Sequence, residues 1–101
     1  MNVYLSSLAE KKLRELLQYL LEEWSKKSRD KFLLKLTEKI DQISNQPHSC
    51  QQSTEVIGLY KCVVTKQTTF YYRIHKAANE IEIITLFDTR KDPIKLKKDV
   101  R

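Results

Sequence analysis

Two strongly strand-forming runs sit five residues apart in this chain. Phe70-Tyr71-Tyr72-Arg73-Ile74-His75 and Ile81-Glu82-Ile83-Ile84-Thr85-Leu86-Phe87-Asp88-Thr89-Arg90 are dense in β-branched and aromatic residues. The segment between them, Lys76 to Glu80, has the length of a hairpin connection. Whatever else the chain does, this part must form an antiparallel pair. Each run also carries an arginine among apolar neighbours. An unpaired guanidinium is costly to bury, so each arginine must reach water or an anion.

The rest of the chain supplies what the pair packs against. Met1 to Leu5 reads as a short strand with Val3 and Leu5 on one face. Ser7 reads as an N-cap, and Glu10 three residues on completes a capping box. Leu13, Leu16, Leu17, Leu20, Leu21 and Trp24 then recur at helical spacing, which predicts an amphipathic helix over about Leu8 to Trp24. After a polar break from Ser25 to Ser28, Phe32, Leu33, Leu36, Ile40 and Ile43 make the stripe of a second helix, about Arg29 to Ser44. Asn45 to Thr54, with Pro47 in it, reads as a loop. Glu55 to Thr65 reads as a strand whose register is open, Gln67-Thr68 and Ala77-Ala78-Asn79 as turns, and Lys95 to Arg101 as a basic tail beyond Pro93.

The predicted order is β, α, α, β, β, β in one domain over residues 1–101. This is a two-layer α+β fold in which a helical hairpin covers one face of an antiparallel sheet and leaves the other open. With 101 residues and 41% hydrophobic content the chain can build one core. No apolar run is long enough to span a bilayer. The first residues lack the pattern of a secretory signal, which points to a cytoplasmic protein with no membrane role. Cys50 and Cys62 lack the spacing of a redox motif or a zinc site, so neither a metal nor a disulfide is expected. The single glycine excludes glycine-rich phosphate loops, and with them nucleoside-triphosphate and dinucleotide chemistry; no cofactor is expected.

Alternation assigns the faces. Phe70, Tyr72 and Ile74 should meet the helices, and Tyr71, Arg73 and His75 should lie on the open side. Both alternating sets of the last run are partly apolar, which suits a central strand buried on both sides. The net charge of +6, from 19 basic against 13 acidic residues, favours an anionic partner, though a small domain also needs charge for solubility. Two readings of the open face stand together. Lys61, Lys66, Tyr71, Arg73, His75 and Arg90 form either a basic, aromatic-lined groove for nucleic acid, or an ordinary solvated face on which Arg73 pairs with Asp88 or Glu82.

The predicted order, the leucine-striped helical hairpin with Ala9, the Pro47 loop, the Phe70-to-Ile74 run and the Ile81-to-Arg90 run resemble the RelE/ParE superfamily of bacterial toxins. The ending Phe87-Asp88-Thr89-Arg90-Lys91-Asp92-Pro93 is similar to its plasmid-stabilisation branch. The resemblance covers about Asn2 to Leu96. It implies a toxin of a type II toxin–antitoxin system, neutralised by an acidic antitoxin. It also implies one of two actions: cleavage of messenger RNA on the ribosome, or inhibition of DNA gyrase by binding. Arg73 matches the strand arginine that RelE-like toxins set against phosphate, and Arg90 lies near a second such arginine. Metal-free RNA cleavage also needs a base and an acid. RelE-like nucleases carry a tyrosine, often with a histidine, after the last strand, and Lys91 to Arg101 holds neither. His75 and Tyr71, or Glu55 folded over the groove, would have to substitute. The expectation is therefore a binding toxin of the ParE type, with the RelE-type nuclease, an inactive relative and a plain basic binding module as alternatives.

Overall fold

The computed structural model describes residues 1–91, 99 and 100. β1 (Asn2–Leu5) leads into α1 (Ser7–Glu23) and α2 (Lys26–Asn45). β2 (Gln51–Gln52), β3 (Tyr60–Val63), β4 (Thr68–His75) and β5 (Glu80–Asp88) follow. The sheet order is β1-β5-β4-β3-β2, antiparallel except that β1 runs parallel to β5. The predicted elements and the helical layer are present, with one strand more than expected: the two-residue β2 forms inside the expected loop Asn45 to Thr54 and pairs with β3. The parallel pairing of β1 departs from the expected antiparallel sheet: Val3 lies opposite Ile81 and Leu5 opposite Ile83, which puts β5 inside the sheet between β1 and β4. The short turn Lys76–Ala78 joins β4 to β5, and Asn79 closes it in a left-handed conformation at φ 54°, which asparagine tolerates better than most residues.

Helix boundaries follow local caps. The first cap is Ser6 rather than Ser7: its hydroxyl accepts the Ala9 amide hydrogen at 3.0 Å. Ser6 is where the chain leaves the ladder, its own amide still donating to the Ile83 carbonyl at 2.9 Å. Glu10 closes no capping box and instead lies 3.8 Å from Arg14 on the exposed surface. Ser25 caps α2 by accepting from the Ser28 amide at 3.0 Å. The expected four-residue break therefore shrinks, because the capping serine sits at its beginning.

The main core lies between the helices and the sheet. Ala9, Leu16 and Leu20 of α1 and Phe32, Leu36 and Ile43 of α2 meet Cys62, Phe70, Tyr72, Ile81, Ile83 and Leu86. Tyr72 is fully buried and donates its hydroxyl to the Pro47 carbonyl at 2.6 Å. Tyr60 stacks on it with ring centroids 5.2 Å apart. Placing Phe70, Tyr72 and Ile74 toward the helices agrees with alternation.

Alternation fails in β5, at a bulge. Tyr72 pairs with Ile83 and Tyr71 with Thr85, so Ile84 has no partner across the ladder. The Ser6 hydroxyl donates to the Ile84 carbonyl at 2.6 Å, satisfying a group the bulge affects. Beyond the bulge, Leu86 joins the helix-side core and Phe87 the opposite side. Asp88, opposite Thr68, is buried. Its carboxylate accepts from the Thr68 hydroxyl and holds Arg90 through both Nε, at 2.9 Å, and Nη2, at 2.6 Å. Arg90 also lies 5.4 Å from the Trp24 ring centroid, and its carbonyl accepts from the Tyr19 hydroxyl at 3.1 Å.

The strand expected over Glu55 to Thr65 forms only from Tyr60 to Val63. Before it, the Ser53 hydroxyl accepts from the Glu55 and Val56 amides, at 3.2 and 3.3 Å, and Gly58 turns the chain at φ 82°. The apolar residues that suggested a strand, Val56 and Leu59, instead fold down over the sheet. Pro93 and most of the basic tail lie outside the described residues. Of that tail, Asp99 binds Lys12 and accepts from the Thr85 hydroxyl at 2.8 Å, and Val100 packs beside Tyr71 and Phe87.

Replacing Ser6 by Ala should lower stability by about 2 kcal/mol, from loss of the cap and of the Ile84 bond. Ser7→Ala should change it by less than roughly 0.5 kcal/mol. Urea unfolding with an unchanged slope measures both. Burial acts to push the Asp88 carboxyl up, but hydrogen bonds from Arg90 and Thr68 and the Arg90 charge outweigh it and hold it below the usual range. A lowered folded-state value means that this stabilisation is complete above the unfolded value of about 3.9 and is lost as pH falls through the folded one. Asp88→Asn should therefore cost on the order of 3 kcal/mol at pH 7. The gap to the parent protein should close progressively below about pH 4 in pH-dependent urea unfolding.

Candidate functional site

The sheet face away from the helices carries Tyr71, Arg73 and His75 from β4, as alternation expects. Lys61 joins them, because it lies opposite Tyr71 in the β3–β4 ladder. The register left open by the sequence is thereby fixed: Tyr60 and Cys62 turn to the helices, and Lys61 to the other side.

This face is not open throughout, and here the expectation needs correcting. Leu59, Tyr71 and Phe87 form a second small core, with Val56, Ile84 and Val100 packed on it. Tyr71 is only 2% exposed, its ring 6.1 Å from that of Phe87 in an edge-on contact. It is a packing residue and not a platform for a base. Burial first, and then the negative charge of Glu55, push its phenol above the ordinary value. A tyrosine so placed keeps its proton at neutral pH and is a poor proton acceptor.

The six candidate cations and aromatics are not brought together as one groove. Lys66 is exposed in the turn between β3 and β4, beside Thr68. Arg73 lies five residues further along the strand, about 17 Å at an extended rise. Arg90 follows the same distant end of the hairpin, and Asp88 before it shares the face of the helix-side core. The hydrogen bonds it donates to Asp88 come first, and the Asp88 charge later, in raising the Arg90 guanidinium above its ordinary range. Arg90 is therefore committed to a structural ion pair, a role the sequence suggested only for Arg73.

Arg73 behaves differently from either reading of the sequence. It stands opposite Glu82 in the ladder. The Glu82 carboxylate nevertheless contacts the neighbouring histidine, with His75 Nε2 to Glu82 Oε1 at 2.9 Å. Among the described residues no ion pair holds Arg73, which is half-buried. It is a diagonal neighbour of exposed Lys61, a separation of roughly 7–8 Å between side-chain bases. Two cations so spaced on a rigid sheet can hold a carboxylate or phosphate between them. Glu80 and Glu82 border them on the β5 side.

Sequence reasoning missed Lys12. It sits on the polar side of α1, yet its ammonium lies 3.7 Å from the Phe87 ring centroid and donates to the Thr85 hydroxyl at 3.1 Å. Together with Asp99 it closes the edge of the second core. Its position in the helical pattern gave no sign of this, because the bulge is what turns Thr85 and Phe87 toward it. No group of three or more metal-binding side chains is found among the described residues. Nor is any helix among them long and apolar enough to cross a membrane.

Known proteins share this architecture. The chain matches the protein family described as "ParE toxin of type II toxin-antitoxin system, parDE" over residues 3–93. A solved structure titled "YoeB/ParE toxin from Agrobacterium tumefaciens" is similar at a TM-score of 0.67 and 14% identity, covering 87% of this chain and 98% of that one. Another, titled "Chromosomal ParDE TA system from P. aeruginosa", is similar at a TM-score of 0.69 and 15% identity, covering 87% of this chain and 95% of that one. No individually curated protein matches the sequence. At such identities the two structures speak for the fold, whereas the family match spans nearly the whole chain. The chain thus belongs to the ParE toxin family, as a toxin of a type II toxin–antitoxin system whose partner is an antitoxin.

Proposed function

We propose that this toxin acts by binding an essential macromolecule, with DNA gyrase the expected target, and does not cleave RNA. The supporting observation is the state of the sheet face that carries Arg73. Cleavage of RNA without metal needs a proton acceptor and a proton donor beside the cation that stabilises the phosphorane. Two of the three candidates for those roles are otherwise engaged, Tyr71 in a packing cluster and His75 with Glu82, which leaves exposed Glu55 without a second group to complete the pair. What stays available is a pair of cations, Arg73 and Lys61, which suits gripping an anionic or polar surface more than proton transfer.

The remaining parts of the reading rest on charge and family. Residues 1–101 act as one domain in the cytoplasm. The net charge of +6 favours an antitoxin whose neutralising segment is acidic. The runner-up is ribosome-dependent cleavage of messenger RNA, favoured by the match of Arg73 to the strand arginine of RelE-like toxins.

Two assays separate these actions. Purified toxin should inhibit supercoiling by DNA gyrase and leave ribosome-bound messenger RNA intact; uninhibited supercoiling together with cut message would reverse the assignment. Arg73→Ala should abolish growth arrest and raise the inhibitory concentration at least tenfold, the equivalent of about 1.4 kcal/mol. Its unfolding free energy should stay within roughly 0.5 kcal/mol of the parent. A variant that remains fully toxic would remove Arg73 from the target surface.

A further inference from the structure

Cys50 and Cys62 are twelve positions apart in the sequence and both free. The β2–β3 ladder brings them together. Gln52 lies opposite Tyr60 and Gln51 opposite Lys61, so the next step of the same register sets Cys50 across from Cys62. Both side chains belong to the helix-side core, Cys62 buried and Cys50 partly accessible at its edge. Directly opposed residues in an antiparallel pair have their Cα atoms about 4.5–5.5 Å apart. A disulfide commonly spans about 4.4–6.8 Å.

We propose that Cys50 and Cys62 are a thiol–disulfide modification site, oxidised by low-molecular-weight disulfides to a bond that fastens the α2–β3 connection to the sheet. The Cys50 thiolate attacks one sulfur of the small disulfide, forming a mixed disulfide and releasing one small thiolate. The Cys62 thiolate then attacks the Cys50 sulfur, forming the internal bond and releasing the second. The protein gives up two electrons and two protons, and the small disulfide takes them as two thiols. Order follows access. Cys50 is the thiol a solute can reach, and the Cys62 sulfur is buried in the helix-side core.

The chemical state of Cys62 agrees with this order. Burial first, and then the hydrogen bond and charge of Cys50, push its thiol up to about 12. It is a poor first nucleophile, and becomes effective only when an electrophilic sulfur is already held against it. Closure of the bond would pin Cys50, and with it the segment between Pro47 and β2. The Pro47 carbonyl already accepts from Tyr72, and His48 Nδ1 lies 2.8 Å from the Tyr60 hydroxyl. The site is independent of the toxin's target and senses the redox poise of its compartment.

The test treats the folded, reduced protein with excess oxidised glutathione at pH 8 and follows intact mass and free thiols. The parent chain should lose the mass of two hydrogens and both thiols, and a non-reducing peptide map should join Cys50 to Cys62 within one molecule. Its thermal midpoint should rise on the order of 10 °C, from the shortened loop of the unfolded chain, and fall back on reduction. Cys62→Ser should stop at a glutathione adduct on Cys50, and Cys50→Ser should remain unmodified. Persistent free thiols in the parent, arrest at the Cys50 adduct, or cross-links only between molecules would each overturn the proposal.

Discussion

Ile84 leaves the β4–β5 ladder, and much of the sheet follows from that departure. Ahead of the bulge, Ile81 and Ile83 face the helices. Behind it, Leu86 takes that side while Phe87 turns away to meet Tyr71. One strand thus feeds two cores, which strict alternation does not allow. The Ser6 hydroxyl serves both ends of this arrangement, receiving the Ala9 amide hydrogen at the start of α1 and donating to the Ile84 carbonyl. The entry of the first helix and the parity change of β5 are held by the same atom.

The second core redistributes charge. Tyr71 would be a stacking residue on a bare face; covered by Leu59, Val56 and Val100 it is structural. The bulge also carries Asp88 to the helix side, where Arg90 can reach it. A buried carboxylate must find partners, and the nearest guanidinium becomes fixed as one. Of the two arginines in the strand-forming runs, one therefore completes the fold. The other, Arg73, stands beside Lys61 with no ion partner among the described residues. Its cross-strand neighbour Glu82 is occupied by His75, a pairing that no residue pattern reveals.

The same limit applies to the cysteines. Motif spacing addresses pairs brought together by a single turn, and Cys50 and Cys62 have no such spacing. They meet because the Gly58 turn and the Ser53 hydroxyl fold the chain between them back on itself, setting β2 against β3. The apolar residues of that turn misled the strand assignment for a related reason. Val56 and Leu59 carry the composition of a strand but are buried by folding over a sheet, and burial alone does not distinguish the two.

Sequence by itself determined the elements with strong periodicity. The leucine stripe of α1, the stripe of α2 and the β4–β5 hairpin all form, since repeating apolar spacing leaves each only one way to bury its face. It also determined the family resemblance, which rests on those elements in that order. Tertiary structure decided what depends on register and on partners distant in the chain: the parallel edge strand, the side on which Lys61 emerges, the covering of Tyr71, and the assignment of Arg90 to Asp88 and of Lys12 to Phe87. The division has a physical cause. Periodicity is a property of neighbours along the chain, whereas a single unpaired residue in a ladder reverses every side chain beyond it.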